Sequence, residues 1–401
     1  MNDELVGVGA RVAQARKLKG WSQSRLAMET DISLSLIRAV EQGRRAATQG
    51  FISACAKALR TSSAELLGQP FPPTNAEDRE LHGAIALLRN ELAAYDLPAP
   101  EIEVRPLAKL SQDVVQARRY RRDAAAPKLA AMLPPLVTEA RALVHRSAGQ
   151  VRDHAYVLLT ELYYDVRSLA HKMGYVDLAA SAVDRMTWAA NQSGNPLWIA
   201  ASQFHRASLL TSGGDWRTAL AFLEQCRGPI ESLLGAGEEH NLIAWGGLHL
   251  QSGLAAARAG NRNLADSHLA EAMETARRIG HDRDEVLVFG PTNASIWSVS
   301  LAVDLMDGGE ALKRAKGLYI PSGTPRSRSA VHYIDLARAY LLHGDRPLVL
   351  DALHTAKATS PSLTRYHPMV HETIRVLARE DARRSDTVRG FAAWCGIAPS
   401  L

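Results

Sequence analysis

At 401 residues and roughly 150 residues per domain, the chain is long enough for two to three domains and a sizeable core, which excludes a peptide or a small staple-held scaffold. Hydrophobic residues make up 46% and charged residues 22%, ordinary globular usage that excludes a disordered chain, and the abundance of Ala and Leu with few Val, Ile or Thr runs predicts an all-α protein. The formal charge of +5 is uneven: residues 1–70 carry ten Lys and Arg against six Asp and Glu, so a positive head on a near-neutral body suits contact with a polyanion.

From Val8 to Leu18, the apolar residues Val8, Val12, Ala15 and Leu18 recur at three- and four-residue spacing, which predicts an amphipathic helix stopped by Gly20. Ser22 has the hydroxyl to cap a second, short helix through Leu26 and Ala27, and Ser33 to cap a third through Leu36, Ile37, Val40 and Glu41 that ends at Gly43. Two short helices on a tight connection form a helix-turn-helix unit. Phe51, Ile52, Cys55, Ala58 and Leu59 mark a fourth helix and Glu65-Leu66-Leu67-Gly68 a fifth, enough together to bury one small core.

The string Arg11, Arg16, Gly20-Trp21-Ser22-Gln23, Leu26-Ala27, Ile32-Ser33, Ile37, Glu41, Gly43, Ala56, Ala58-Leu59, Ser63 and Leu66-Leu67 resembles the lambda-repressor-like, or XRE-type, helix-turn-helix domains over about sixty residues. The resemblance implies binding of a double-stranded DNA operator, with the third helix entering the major groove N-terminus first. That helix offers Ser33, Leu34, Ser35, Arg38, Ala39 and Gln42, and the family's base-reading positions fall on Leu34, Ser35 and Ala39. Leu34 and Ala39 can touch a thymine methyl but form no bidentate hydrogen bonds, so direct readout is expected from Ser35 and Arg38, with DNA shape supplying the rest. Gln23 matches the family's phosphate-contacting glutamine, and Arg44 and Arg45 would meet the flanking backbone.

Residues 71–150 read as linker and connecting helices. The proline-rich stretch 69–76 is stiff; Leu81, Ile85, Leu88 and Leu92 mark a helix from Asp78 to Tyr95; and a helix from Leu107 ends in the run Arg118-Arg119-Tyr120-Arg121-Arg122, either a charged helix end or a second DNA-facing strip. Pro134-Pro135 is expected to mark a boundary before the body begins at Leu136.

Across residues 151–401 the sequence repeats itself with a period of about 36 to 48 residues, the signal of a solenoid. Turns are expected at Gly174, Gly213-Gly214-Asp215, Gly260-Asn261, Gly308-Gly309 and Gly344-Asp345, and small residues Ala179, Ala219 and Ala265, with Val349 as a bulkier counterpart, follow five residues after most of them. Tyr333, Leu336, Ala337, Tyr340, Gly344-Asp345, Leu353, Ala356 and Pro361 fall at the spacing of tetratricopeptide repeats, which the body resembles. The resemblance implies five helix pairs between about 151 and 361 and a capping pair after Tyr366, stacked as a right-handed superhelix. The repeat register puts Tyr164, Ser168, His171, Phe204, Ser208, Leu250, Leu254, Ile296, Ser300, Ile334 and Arg338 on or near a concave trough suited to a peptide or small-molecule effector, with Asn293 as a further candidate ligand contact. In Phe289-Gly290-Pro291-Thr292-Asn293, Thr292 or Asn293 is expected to cap the following helix. The whole resembles actinobacterial XRE-type regulators with a tetratricopeptide-like C-terminal part.

No catalytic motif is present: His371-Glu372-Thr373-Ile374-Arg375 lacks the second histidine of a zinc site, Gly7-Val8-Gly9 lacks the third glycine of a dinucleotide fingerprint, and no nucleophile elbow or Walker lysine occurs. No enzyme, cofactor or metal is therefore expected. Three scattered cysteines, Cys55, Cys226 and Cys395, suit a reducing compartment, and an acidic N-terminus without an apolar run suits a cytoplasmic chain with no membrane partner. The expectation is a DNA-binding transcriptional regulator acting as a homodimer, because a two-fold operator wants two heads; the alternative is an interaction scaffold whose helix-turn-helix has little DNA affinity.

Overall fold

Apolar residues at helical spacing, punctuated by serine caps and glycine stops, produce five short helices at the N-terminal end: α1 (Val8–Leu18), α2 (Gln23–Thr30), α3 (Leu34–Glu41), α4 (Gln49–Leu59) and α5 (Ser63–Leu67). The structure, a computed structural model, describes residues 7–73, 76–99, 102–380 and 386–397; these are all-helical, with one isolated bridge between Arg283 and Phe289. The five helices enclose one core from Val8, Val12, Leu26, Ile37, Val40, Phe51, Ile52, Cys55, Leu59, Leu66 and Leu67. Met369, far along the chain, joins that same core.

Three helices follow: α6 (Ala76–Ala93), α7 (Leu107–Arg122) and α8 (Ala126–Arg146). Pro134 and Pro135, expected to separate two elements, lie inside α8. The helix survives because Leu133, Leu136, Val137 and Ala140 bury one continuous apolar stripe, while the Thr138 hydroxyl donates to the Pro134 carbonyl at 3.1 Å.

Five helix pairs then succeed one another: α9 (Gly149–Met173) with α10 (Val176–Ser193), α11 (Pro196–Ser212) with α12 (Trp216–Glu231), α13 (Glu239–Arg258) with α14 (Arg262–Ile279), α15 (Pro291–Asp304) with α16 (Gly308–Ala315), and α17 (Arg326–His343) with α18 (Arg346–Thr359). A short α19 (Pro361–Tyr366) leads to α20 (Pro368–Glu380) and α21 (Asp386–Trp394), which pack together. Consecutive pairs pack on one another in order, so each buries the apolar face its neighbour leaves open. Ala179, Ala219, Ala265 and Val349 are fully buried where the second helix of a pair crosses the first.

Four turns fall at Gly174, Gly214, Gly260 and Gly344. In the fourth pair the left-handed residue is Met306 instead of Gly308. Gly308 serves α16 differently: a Cβ there would lie 2.8 Å from the Ala339 carbonyl, so its bareness lets α16 approach α17.

The head is fastened to the body through α4, α5 and the loop between α3 and α4. Ser53 Oγ donates to the Ser212 carbonyl at 2.8 Å, Ser63 Oγ to the same carbonyl at 3.2 Å, and the Ala47 amide to Glu372 Oε1 at 3.3 Å. Gly50 lies against the backbone of Arg258, and Gly214 against the backbone of Ser53. The proline-rich join is likewise held, with Phe71 stacked on His371 at 3.9 Å. The head thus sits across the turns of α11–α12 and α13–α14 and against α20.

Candidate nucleic-acid interface and the cavity of the helical array

The helix-turn-helix is set by two serine caps. Ser22 Oγ accepts from the Arg25 amide and Ser33 Oγ from the Leu36 amide, satisfying N-terminal donors of α2 and α3. Asp31, in the left-handed region at φ 55°, turns the chain between them, a conformation its short polar side chain tolerates. Ile37 and Val40 turn α3 inward, which leaves Ser35, Arg38 and Gln42 exposed on its outer face. Ser33, Arg44 and Arg45 are exposed beside it, and Leu34 and Ala39 are half-buried. Arg44 bonds the Gln42 side chain.

Gln23 has a more constrained position than the sequence implied, since its Nε2 donates to Glu41 Oε2 at 2.8 Å. Glu41 also accepts two hydrogen bonds from Arg16, at 2.7 and 2.8 Å, and Arg16 donates to the Trp21 carbonyl at 2.6 Å. This network ties α1, the start of α2 and the end of α3 into one frame. Arg379, on α20, was not legible in the sequence as a neighbour of α3: its guanidinium lies where a Cβ on Gly43 would stand, adding an exposed cation from the body at the end of that helix.

The array forms a cavity of about 340 Å³ that opens to solvent. Of the trough residues expected from the repeat register, Tyr164, Ser168, His171, Phe204, Ser208, Leu250 and Leu254 line it, as does the further candidate Asn293, whereas Ile296 is fully buried. Arg338 is held away from it by Asp304 at 3.0 Å and Asp335 at 2.7 Å. The basic run at the end of α7 turns inward: Arg118 pairs with Glu161, Arg121 with Asp165 and Arg122 with Asp284, and Arg121 and Arg122 line the cavity. Their spacing places them on one helix face, a signal in the sequence, but their partners are distant in the chain.

Phe289-Gly290-Pro291-Thr292-Asn293 leads into α15 beside the cavity. The helix start is capped from outside, by Asp282 Oδ1 accepting from the Thr292 and Asn293 amides at 3.0 and 3.4 Å, instead of by Thr292 or Asn293 themselves. Asn293 is buried and accepts from Arg328 Nε at 2.8 Å, which fixes that guanidinium in the wall. Phe289 is fully buried against α13, and a Cβ on Gly246 would lie 1.9 Å from its ring. Gly246→Ala is therefore expected to lower stability by about 1–3 kcal/mol through overpacking, seen as a lower melting temperature; an unaltered melt would show that the ring moves freely.

Among the described residues no group of three His, Cys, Asp or Glu side chains could hold a metal, and no helix is long and apolar enough to cross a membrane. Neither the curated proteins nor the solved structures contain a match to the chain. Residues 12–66 match the family described as helix-turn-helix, and they lie within the five-helix head, so this part of the chain is a helix-turn-helix domain.

Proposed function

We propose that the protein is a transcriptional regulator that reads a double-stranded DNA operator as a homodimer and takes an effector in its tetratricopeptide-like body. The supporting observation is the orientation of the head: α4 and the loop before it are fastened to the body, while the outer face of α3, from Ser33 to Arg45, stays exposed. Ser35 and Arg38 reach base edges on this reading, Leu34 and Ala39 meet thymine methyl groups, and Gln42 lies beside them at the groove. Gln23, Arg44 and Arg45 meet phosphates, joined by Arg379 from α20. Charged contacts to phosphate position the helix, whereas contacts to base edges specify sequence.

The test is selection of duplexes from a random pool by the full chain, followed by mobility shift across a salt series. Arg38→Ala is expected to cost about 1–3 kcal/mol on the selected site and to relax sequence preference. Arg44→Ala and Arg45→Ala are each expected to weaken all duplexes evenly and to lower the salt slope by about one. No shift at low salt, or variants indistinguishable from wild type, would favour the scaffold alternative. Sedimentation of the DNA-bound species checks the dimer.

A further inference from the structure

The cavity of the array holds more positive charge than its own carboxylates balance. Arg121, Arg122 and Arg258 each meet an aspartate, but Arg167, Lys172 and Arg328 reach no carboxylate among the described residues. Hydrogen-bonding capacity is also left over. Arg167 Nε is enclosed without a hydrogen-bond partner, neither ring nitrogen of His205, which is 5% exposed, has one, and one terminal nitrogen of Arg121 makes no hydrogen bond and reaches only Glu161, at 3.7 Å. Burial depresses the Arg167, Arg328 and Lys172 side chains, Lys172 to about 8 with Arg121 and Arg167 adding repulsion. Buried donors and cations in native proteins are ordinarily paired, so several left open around one space mark a missing acceptor.

Part of the wall is aromatic. Tyr164 stacks on His205 at 4.8 Å, and Phe204 meets Trp297 edge-on at 6.2 Å. Arg328 lies 5.5 Å from the centre of the Trp297 ring, so cation and apolar surface adjoin. The volume is that of a small-molecule site.

We propose that this cavity binds a small amphiphilic anion, its carboxylate, sulfonate or phosphate group held by Arg167, Lys172 and Arg328 and its apolar body laid against Phe204 and Trp297. The anion neutralises the excess charge and accepts from the open guanidinium nitrogen of Arg167. The proposal supplies a chemical class for the effector of the regulator reading and rests on that reading only for its consequence at DNA.

The experiment titrates 8-anilinonaphthalene-1-sulfonate, an aromatic anion whose fluorescence reports binding, into the full chain. Saturable binding is expected, weakened at least tenfold in Arg167→Met and in Arg328→Met and unchanged in Arg277→Met, an exposed arginine of α14 outside the cavity. Melting curves are recorded alongside. Arg167→Met removes a half-buried cation without a carboxylate partner and is expected to leave the ligand-free protein as stable as wild type, which separates lost binding from lost fold, whereas Arg328→Met also takes the donor from Asn293 Oδ1 and is expected to melt lower; Lys172→Met serves as the third cavity variant. Displacement by 2-naphthoate or by 1-naphthyl phosphate supports the site and tells a carboxylate from a phosphate preference. Cavity variants that bind within twofold of wild type overturn the proposal, as does displacement by the neutral 2-naphthalenemethanol equal to that by the acid. Mobility shifts on the same preparations keep the two readings apart: intact probe binding without any DNA shift sinks the regulator and leaves the anion site standing, while DNA shifts with indifferent probe binding do the reverse.

Discussion

Glu41→Ala is expected to cost the head about 3–5 kcal/mol, because it strands a buried guanidinium. The Arg16 and Glu41 side chains are 9% and 5% exposed, and Glu41 is the common acceptor for Arg16 and Gln23. Without it Arg16 keeps its bond to the Trp21 carbonyl but loses its counter-charge, and the amide of Gln23 loses its tether at the start of α2. Hydrogen exchange over α1–α3 reads the result directly, with amides there exchanging orders of magnitude faster in the variant. DNA affinity should fall with them, although Glu41 faces inward. Glu41→Gln keeps one acceptor oxygen but turns an NH2 toward the Arg16 or Gln23 donors, so it is expected to recover only part of the loss. The double replacement Arg16→Met with Glu41→Leu should recover much of the loss, since apolar substitutes of similar volume often match a buried ion pair. A single-variant cost below about 1 kcal/mol would mean that Arg16 finds another partner or reaches water.

Asp304→Ala is expected to have an effect of similar size on the body. Asp304 is 7% exposed and sits between Arg258, at 2.9 Å, and Arg338, at 3.0 Å, so its removal strands the Arg258 guanidinium and leaves Arg338 with Asp335 as its one remaining carboxylate partner. The expected cost is about 3–5 kcal/mol in urea unfolding at neutral pH. Burial by itself would raise this carboxyl, but Arg258 and Arg338 outweigh it and hold it below the usual carboxylate value. With the folded value depressed, the contribution is whole above the ordinary aspartate value of about 4 and is lost as pH falls through the lowered one. The gap between wild type and Asp304→Ala should therefore be wide at neutral pH and narrow on strong acidification. A gap that is independent of pH would show the carboxylate to be a spacer and not a charge partner.

Much of the head was legible from local chemistry. Ser22 and Ser33 cap where their hydroxyls predict, Gly20 and Gly43 stop helices, and the apolar spacing of Ile37 and Val40 gives the inward face of α3. Four of the five pairs of the body were legible for the same reason, a glycine at the turn and, at the crossing, Ala179, Ala219, Ala265 or the bulkier Val349. What escaped the sequence was set by distant contacts. Pro134 and Pro135 were read as a break because the apolar stripe that carries α8 through them depends on α6, α7 and α9 packed around it. The turn at Met306 was misplaced onto Gly308, whose bareness serves α17. The cap of α15 comes from Asp282, across the bridge between Arg283 and Phe289. In the cavity, Tyr164, His171 and Phe204 follow from repeat register, but nothing local distinguishes Arg167 or Arg328 from surface arginines, and nothing local ties Arg338 to Asp304.

Because α4 bears on two consecutive turns of the array and Met369 of α20 plugs the underside of the same domain, the reading head is bolted to its mount at several separated points. Any untwisting between the second and third helix pairs must therefore either swing the head as a rigid vane or prise it loose, since a mount fixed at one point only would let the array flex unnoticed. In a two-fold assembly such a swing is doubled, altering the span between the two vanes against the fixed pitch of the duplex.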